Sequence, residues 1–324
     1  MTRHDSLSEK ERLFLATTML SAEASLKELA ADLDMREHAV RYIRDSLIDR
    51  EIIRPVYHID YFAVGFNDFG IYLSRGSENT SGRRKFEAQI AKVPSVFWLA
   101  KTGGPYQYAL SFLTERPYEL GDLFSAARPT ESGSHFEKSF ALRLDWTIYP
   151  PSYLVGDIKK RKMVTTSSRH PRVALDDIDR KVLRTLSANP TKTVAEVSRL
   201  AGMNTSSVAY RVEQLRKKGV LRTQRYLLNV DKLGFNGHRL IIVDRGLSLE
   251  QRQQFFALCS RHPNVVAFLC CTGDWDFEIR IEAESPNLHD QFCQLLFDTF
   301  GNAIGSIKTM QQLHVFKHVS FPDE

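Results

Sequence analysis

An internal repeat is the feature of this sequence that most constrains its fold. Shifted by 168 residues, the chain matches itself at positions that include Leu7 with Leu175, Leu15 with Leu183, Glu28 with Glu196, Tyr42 with Tyr210 and Arg54 with Arg222. After one inserted residue the offset becomes 169, and the tripeptide GFN that begins at Gly65 matches the GFN that begins at Gly234. A repeat of this length predicts two copies of one folding unit of roughly 150 residues, because the units of stacked repeat proteins are much shorter.

Each copy begins with a pattern typical of three short helices. In the second copy, Val182 and Leu186 belong to an apolar stripe at helical spacing that follows an acidic first turn. Thr193 can cap the next helix and Gly202 can end it, since glycine tolerates the positive φ of a helix terminus. Asn204 then begins a third helix, and the extended segment VLRTQRYLLN follows it. Three helices and an extended wing predict a winged helix-turn-helix.

The remainder of each copy predicts a βαββαβ domain. The second copy reads as HRLIIVDR (strand), SLEQRQQFFALCSRH (helix), NVVAFLCCTGDWDFEIRIEA (hairpin), NLHDQFCQLLFDTF (helix) and SIKTMQQLHVFKHV (strand). The first copy repeats this order from FGIYLSR to FEKSFALRLDWTIY. The order is ferredoxin-like, so the predicted fold class is α+β, with two copies of a winged helix-turn-helix followed by a ferredoxin-like domain.

The predicted domain boundaries follow from these patterns. Between the copies, GDIKKRKMVTTSSRHPRVA is polar and basic and has no clear apolar period, which favours an exposed connector. The predicted units are a diverged winged helix-turn-helix at 6–60, a ferredoxin-like domain at 61–152, the basic connector at 153–173, a DNA-binding winged helix-turn-helix at 174–230 and a second ferredoxin-like domain at 231–324.

Composition narrows the classes of function without choosing one. Lys and Arg number 44 against 39 Asp and Glu, and a net charge of +5 is compatible with nucleic acid but does not require it. The charged start of the chain lacks the apolar core of a signal peptide, and no stretch has the roughly 20 apolar residues of a membrane span, so a cytoplasmic protein is expected. The four cysteines form no CxxC pair, and reduced thiols are expected for them.

The second copy resembles the Lrp/AsnC family of bacterial and archaeal transcriptional regulators. The resemblance rests on LDDIDRKVLRTL, TVAEVSRLAGMNTSSVAYRVEQLRKKGVL and TGDWDFEI, which occur in the family's order and spacing. The first copy shares the layout but fewer motif residues. Members usually carry one such unit and pair through their ferredoxin-like domains. The resemblance therefore implies an intrachain pseudo-dimer with two reading heads, and further homo-oligomers are expected.

The helix-turn-helix pattern implies double-stranded DNA as a partner. The second helix of such a motif enters the major groove, where its early side chains reach base edges and flanking cations meet phosphates. The candidates for base contacts are Ser206, Ser207, Tyr210, Arg211 and Gln214, of which Arg suits guanine and Gln suits adenine. The candidates for phosphate contacts are Arg216, Lys217, Lys218 and Arg222. The alternative for each cation alone is a solvated helix end that suits the helix dipole.

Charge separates the two heads. From 174 to 230 the sequence has eleven basic and five acidic residues, a balance of +6, whereas from 6 to 61 it has eight basic and eleven acidic ones, a balance of −3. In the first head, Arg36, Arg41 and Arg44 can reach DNA, but Glu51 stands where the second head has Gly219 at its helix exit. We expect the second head and the connector to dominate affinity, and the first to bind more weakly or with different specificity; a purely structural first head is the alternative.

The resemblance also implies a small-molecule effector. In the Lrp/AsnC family the ferredoxin-like domain commonly senses a small molecule, often an amino acid, near the loop that corresponds here to TGDWD. The implied effector residues are Gly273, Asp274 and Asp276, whose carboxylates can pair with an ammonium group. The alternative is a plain hairpin turn in which Gly supplies positive φ and Asp bonds the backbone.

Siroheme decarboxylases and related haem-biosynthesis enzymes resemble the same two-part architecture and form an alternative of another class. The resemblance implies catalytic His and Arg or Tyr residues on strands that correspond to PNVVAFLCCTGDWDFEIRI and PSVFWLAKTGGPYQYALSF, and neither segment contains His. No metal triad, nucleophile elbow or glycine-rich phosphate loop occurs, and no cofactor is expected. The sequence therefore predicts a non-enzymatic, sequence-specific regulator of transcription.

Overall fold

The computed structural model describes residues 5–76, 79–128, 136–156, 162–285 and 287–322, and its elements repeat one order twice. The first set comprises α1 (Glu9–Thr18), α2 (Leu26–Leu33), α3 (Glu37–Asp49), β1 (Ile53–Ile59), α4 (Tyr61–Val64), β2 (Asn67–Ser74), α5 (Thr80–Ala91), β3 (Val96–Gly103), β4 (Tyr108–Thr114), α6 (Glu119–Ala127) and β5 (Glu137–Ile148). A short strand, β6 (Val164–Ser167), follows. The second set comprises α7 (Asp177–Ala188), α8 (Val194–Ala201), α9 (Thr205–Lys217), β7 (Leu221–Leu228), β8 (Asn236–Asp244), α10 (Leu249–Arg261), β9 (Val265–Gly273), β10 (Phe277–Ala283), α11 (Leu288–Phe300) and β11 (Ile304–His318). The predicted fold class is confirmed.

Local sequence signals set the helix boundaries of the second head. The Thr193 side chain accepts a hydrogen bond from the backbone N–H of Glu196, and the Glu196 carboxylate accepts one from the backbone of Thr193, so α8 begins with a capping box. It ends at Gly202, which has φ 64°. Asn204 caps α9 through the backbone N–H of Ser206. All three signals were readable from the sequence.

The eight long strands of the two ferredoxin-like domains close into one ring. The first domain has the strand order β5-β2-β4-β3, and the second has β11-β8-β10-β9. Strand β3 then pairs antiparallel with β11, and β5 pairs antiparallel with β9. Each of these strands therefore has a hydrogen-bonded neighbour on both sides, and the two domains share an interior.

The hairpin of each domain packs against the last strand of the other. A Cβ on Gly104 would lie 2.7 Å from the carbonyl oxygen of Thr309, and a Cβ on Gly273 would lie 2.7 Å from that of Phe140. These glycines have φ 113° and 144°. Because 273 minus 104 and 309 minus 140 are both 169, the two contacts occupy matching positions. Close approach and backbone angle both require glycine at each hairpin.

Helices cover the outer faces of the ring. Helices α5 and α6 bury Phe86 and Leu123 against the first sheet, and α10 and α11 bury Phe255 and Leu296 against the second. In β9 the adjacent cysteines face opposite ways, as alternation along a strand predicts. Cys270 packs with the helix-side cluster, whereas its neighbour lies in the cluster that fills the interior. All four cysteines are free thiols.

The extended segments of the two heads pair with each other. Strand β1 runs antiparallel to β7, with Ile53 opposite Leu228 and Ile59 opposite Leu221. We call this two-stranded sheet the ribbon. The sequence predicted an extended wing for the second head but not its partner, because a single strand carries no signal for the distant strand with which it pairs. The ribbon fixes the two heads relative to each other.

The expected exposed connector differs from the structure in part. Strand β6 lies inside it and pairs antiparallel with the end of β5, with Thr166 and Ser167 buried. Strand β6 has only 4 residues, which is too short for a recognisable alternation of apolar and polar residues, so the sequence did not predict it. Arg169 and Arg172 are exposed, and the predicted basic residues Lys159, Lys160 and Arg161 lie outside the described residues.

A buried ion network crosses the shared interior. Arg143 of β5 binds Asp68 of β2 at 3.1 Å and Glu278 of β10 at 2.9 Å, and Glu278 also accepts from Arg239 of β8 at 2.6 Å. These side chains are at most 8 % exposed. Burial opposes ionisation of Glu278, but the two guanidiniums outweigh it and hold the pKa of Glu278 below its usual value. The network joins the two domains, since Arg143 and Glu278 come from different copies.

Removing Arg143 is expected to destabilise the whole chain. Arg143→Met leaves the buried carboxylates of Asp68 and Glu278 with less compensation, which corresponds to a loss of about 3–5 kcal/mol in the free energy of unfolding. Urea titration followed by circular dichroism measures it. The control Arg116→Met removes an exposed arginine and is expected to change stability by less than about 0.5 kcal/mol. Equal effects of the two substitutions would contradict a structural role for the network.

The C-terminal cap of the second helix in each head gives a matched pair of substitutions. Asp34 has φ 52° at the position where the second head has Gly202. Because the left-handed region is strained for residues with a Cβ, Asp34→Gly is expected to raise the free energy of unfolding by about 0.5–1 kcal/mol, and Gly202→Asp to lower it by a similar amount. Thermal unfolding of both variants measures the two changes. The same sign for both would contradict the assignment.

Candidate nucleic-acid interface and interdomain cavity

One face of helix α9 is buried by an apolar stripe, and the opposite face is exposed to solvent. Val208, Val212 and Leu215 are buried against α7 and α8, as the apolar spacing predicted. On the other face Ser207 is exposed and Tyr210 has 62 % of its surface exposed. This face has the size and polarity of a helix that enters a major groove.

Two of the predicted base-contacting side chains are already engaged. Arg211 Nη1 binds Asp176 at 2.6 Å and Asp179 at 2.9 Å, which ties α9 to the start of α7. The hydroxyl of Ser206 donates to Asn204 at 2.7 Å as part of the helix cap. These ion pairs occupy Nη1 and fix the position of the guanidinium, so a contact of Arg211 with guanine has to use its remaining N–H donors or break the pairs. The acidic first turn of α7, read from the sequence as a helix signal, supplies these partners.

The predicted phosphate contacts lie at the end of α9 and on β7. Arg216 binds Glu23 of the first head at 2.6 Å, and Lys217 binds Glu213 at 2.8 Å, both at the surface. Lys218 is exposed and forms no ion pair with any residue that the structure describes. Arg222 reaches the backbone of Thr165 in β6 at 3.4 Å. Surface pairs of this kind are worth little, so these cations can exchange a carboxylate for a phosphate.

The first head presents a similar but less basic face. Tyr42, at the position that matches Tyr210, is 75 % exposed, and Arg36 and Arg41 are also exposed. Arg44 binds the adjacent Asp45 at 2.9 Å. Glu51 has φ 54° at the helix exit, where Gly219 has φ 72°. The exit therefore keeps its left-handed geometry without glycine, held in part by an ion pair from Glu51 to Lys232 at 2.6 Å.

The predicted effector residues occupy structural hydrogen bonds. Asp274 accepts from the hydroxyl of Ser139 at 3.0 Å and the backbone N–H of Phe140 at 2.9 Å. Asp276 accepts from the backbone N–H of Asp244 at 2.8 Å. These contacts, with the positive φ of Gly273, are those of the alternative, a structural hairpin that holds the ring together. The effector site remains a prediction.

A large cavity lies between the ribbon and the ring of strands. Its volume is about 720 Å³, within the range of small-molecule sites. Aromatic and aliphatic side chains of the ring and ribbon form the apolar part of its wall, including Phe97, Trp98, Trp146, Leu228 and Leu269. Six basic side chains also line it, namely Arg54, Arg143, Arg225, Arg239, Arg280 and Lys317, against two acidic ones, Glu51 and Asp231.

Two of these cationic groups, Arg225 and Arg280, have no ion pair with any residue that the structure describes. Arg239 and Arg280 are direct partners in the β8–β10 ladder, which places like charges opposite each other. Burial, reinforced for Arg280 by Arg239, lowers the pKa of Arg225 and of Arg280 to about 10. Among the described residues neither guanidinium has a hydrogen bond or an ion pair. Glu282, whose charge favours the ionised form of both, accepts a hydrogen bond from Tyr153 at 2.9 Å instead.

The sequence analysis missed this cavity, although one signal was present. In β10 the charged residues Glu278, Arg280 and Glu282 alternate with Ile279 and Ile281. The two isoleucines pack against the covering helices, so the opposite face of the strand is charged. Such alternation in a predicted buried strand indicates a polar interior. The histidines at the cavity, His314 and His318, lie on β11, outside the segments that were compared with the decarboxylases.

In comparisons with known proteins, part of this chain is similar to DNA-binding regulators. A family model described as winged helix-turn-helix DNA-binding matches residues 175–222. The HTH-type transcriptional regulator FL11 of Pyrococcus horikoshii is 24% identical over 143 residues, which cover 44% of this chain and 88% of FL11. The glutamate uptake regulatory protein of Zymomonas mobilis is 27% identical over 124 residues, 38% of this chain and 75% of that protein.

A solved structure matches nearly the whole chain. The siroheme decarboxylase NirDL aligns with a TM-score of 0.58 over 97% of this chain and 94% of its own, at 10% identity. At that identity the likeness shows a shared fold alone. Among the described residues, no helix is long and apolar enough to cross a membrane, and no group of three or more His, Cys, Asp or Glu is placed to hold a metal ion.

His58 in the ribbon gives the fold a defined pH dependence. Its side chain is 3 % exposed, and its ring lies 5.7 Å from that of Trp146. Burial, reinforced by Arg225 and Arg222, lowers the pKa of His58 from 6.5 to about 3. Below the unfolded pKa the unfolded chain takes up a proton that the folded chain refuses, so folding stability falls as the pH decreases below about 6.5.

His58→Gln is expected to weaken this dependence. One histidine of this kind contributes a slope of up to about 1.4 kcal/mol per pH unit, so the variant is expected to lose about 2 kcal/mol less than wild type between about pH 6.5 and pH 4.5. Urea unfolding at several pH values measures both slopes. His238 and His318 also have lowered pKa values because of burial, so a residual slope is expected. Identical slopes in the two proteins would contradict a neutral, buried His58.

Proposed function

We propose that this protein is a sequence-specific DNA-binding transcriptional regulator of the Lrp/AsnC type. The observation that carries the proposal is the exposed polar face of α9 within 175–222, the segment that matches the winged helix-turn-helix family. The relatives described above bear the names of transcriptional regulators, and the helix geometry suits the major groove. In this proposal Ser207, Tyr210 and Gln214 contact bases, and Lys217 and Lys218 contact phosphates.

The proposal includes a tandem origin and unequal heads. The repeated element order and the matching glycine contacts at Gly104 and Gly273 support a duplication of one regulator unit. The chain then holds within itself the pairing that separate subunits would otherwise form. The second head is the more basic and dominates affinity, and the first contributes a weaker or different contact through Arg36 and Arg41.

Control by a small effector is a further part of the proposal. An effector changes DNA binding only if it binds one arrangement of the heads better than another. The ribbon is the element that both heads share, so a ligand that contacts it can change their arrangement. The predicted effector residues Gly273, Asp274 and Asp276 are weaker candidates for the ligand site, because the carboxylates of Asp274 and Asp276 already accept structural hydrogen bonds.

The second candidate is a decarboxylase on the same architecture. The observation that favours it is the cavity with basic side chains and with His314 and His318, in a fold that NirDL shares. Incubation of the purified protein with siroheme, followed by absorption spectroscopy and measurement of released CO₂, tests it. Turnover with release of CO₂ would establish the enzyme. Its absence, together with specific DNA binding, is the result that the regulator predicts.

DNA binding by the second head gives a direct test. Lys217→Ala combined with Lys218→Ala is expected to weaken binding of duplexes selected from random sequence by tenfold or more. Because each phosphate contact contributes about 0.9 to the dependence of log K on log salt concentration, the slope is expected to decrease by about 1.8. Fluorescence anisotropy across a salt series measures both quantities.

The matched control changes the first head. Arg36→Ala combined with Arg41→Ala removes two exposed cations from the equivalent helix and is expected to have a smaller effect on affinity. If the double lysine variant bound DNA with the affinity and salt slope of the wild type, the role of the second head would be refuted. A larger loss from the control would reverse the assignment of the two heads.

A further inference from the structure

Of the arginines that line the cavity between the ribbon and the ring, two have no ion-pair partner among the residues that the structure describes. Arg225 and Arg280 lack ion pairs there, and three buried nitrogens, Nε1 of Trp146 and the Nε atoms of Arg225 and Arg239, have no hydrogen-bond acceptor. Half-buried guanidiniums without partners are costly, because burial removes part of the water that would solvate them. A fold that keeps two of them around one cavity is suited to an anion that enters from solution.

The other arginines in the wall supply geometry. The central carbon of the Arg239 guanidinium lies 3.9 Å from the centroid of the Trp98 ring, and the ion pair to Glu278 fixes its position. Arg54 contacts Nδ1 of His318 at 2.8 Å. Guanidiniums held in this way keep forked donors that match carboxylate and phosphate oxygens. The site is therefore preorganised on both sides, since Arg54 and Arg225 come from the ribbon and Arg239 and Arg280 from the ring.

The aromatic and aliphatic part of the cavity wall favours a ligand with an apolar portion. Phe97, Trp98, Trp146 and Leu269 contribute to its wall, and the volume of about 720 Å³ exceeds that needed for a single inorganic anion. A ligand that fills it must place anionic oxygens near separate arginines and an apolar portion against the aromatic wall.

We propose that this cavity binds a small molecule that carries at least two negative charges, from carboxylates or from a phosphate, on an apolar body. Arg225 and Arg280 are the principal anion ligands, Trp98 and Trp146 contact the apolar portion, and the ligand bridges the ribbon and the ring. The site is separate from the face of α9 and from the hairpin of Gly273. It does not depend on DNA binding, so either proposal can fail without the other.

Intrinsic fluorescence offers a readout, because two of the three tryptophans of the chain line the cavity. The probes are benzenetricarboxylate and phenyl phosphate, which carry carboxylates and a phosphate on an aromatic body. Benzoate and inorganic phosphate test whether charge or ring alone suffices. A saturable fluorescence change and a raised melting temperature are expected with benzenetricarboxylate, with phenyl phosphate or with both. The probe that binds shows whether the site prefers carboxylate or phosphate.

Variants locate the site. Arg225→Gln and Arg280→Gln are each expected to weaken binding at least tenfold, whereas Arg116→Gln, at an exposed arginine, leaves it unchanged. Ligand-free Arg225→Gln and Arg280→Gln are expected to melt no lower than wild type, since like charges are removed from a buried site. Should either glutamine variant not fold, Arg225→Lys and Arg280→Lys keep the positive charge but lose the forked donors of the guanidinium. Binding to these lysine variants is expected to be several-fold weaker.

Different results would contradict different parts of the proposed ligand site. Absence of saturable binding by both aromatic probes would overturn the proposal, as would binding that is unchanged in the arginine variants. Benzoate binding as tightly as benzenetricarboxylate would refute the requirement for more than one charge. Inorganic phosphate binding as tightly as phenyl phosphate would refute the requirement for an apolar body.

Discussion

Closure of eight strands into one ring is the constraint on which the rest of this structure depends. Each four-stranded sheet alone would expose two edges, and an exposed edge is a site for unwanted pairing. Here β3 with β11 and β5 with β9 satisfy those edges within one chain. The shared interior then has to accommodate Arg143, Asp68 and Glu278, and the hairpin glycines have to admit the backbone of the opposite domain. Both domains are therefore required for either to be complete.

The same closure holds the two heads in one arrangement. Because the ring fixes the positions at which β1 and β7 leave it, the two strands meet as a ribbon and the heads follow. If the chain arose by duplication, as we propose, its two heads can diverge, since they no longer share one sequence. The differences in charge and in the helix exits of the heads are consistent with this freedom. The cavity at the ribbon adds a place where a small ligand can contact the ribbon and ring together.

Much of the fold could be predicted from the sequence, because its signals are local. The capping box of Thr193, the glycine at 202 and the alternation in β9 each specify structure within a few residues. The pairing of β1 with β7, strand β6 and the ion pairs of Arg211 were not predicted, because each depends on a partner far away in the chain. The cavity was missed for the same reason: its wall combines side chains from both copies, and only the charged face of β10 gave a local indication.

The candidate DNA-binding face was predicted better than its individual contacts. The stripe of Val208, Val212 and Leu215 fixed which side of α9 is buried, so the opposite side followed. Which polar groups on that side are free depends on neighbours such as Asp176, Asp179 and Glu23, whose positions only the fold determines. Tyr210 and Tyr42 are exposed at matching positions of the two heads, and each can be changed without disturbing a core.

Hydroxyl-radical footprinting on a selected duplex tests the central claim, that one chain reads DNA through two unequal heads, most directly. Wild type is predicted to protect one half-site strongly and the adjacent one weakly. Tyr210→Ala is predicted to abolish protection of the strong half-site, and Tyr42→Ala to affect the weak one alone. Equal protection of two half-sites, with equal losses from the two substitutions, would contradict the account, as would a footprint that neither substitution changes.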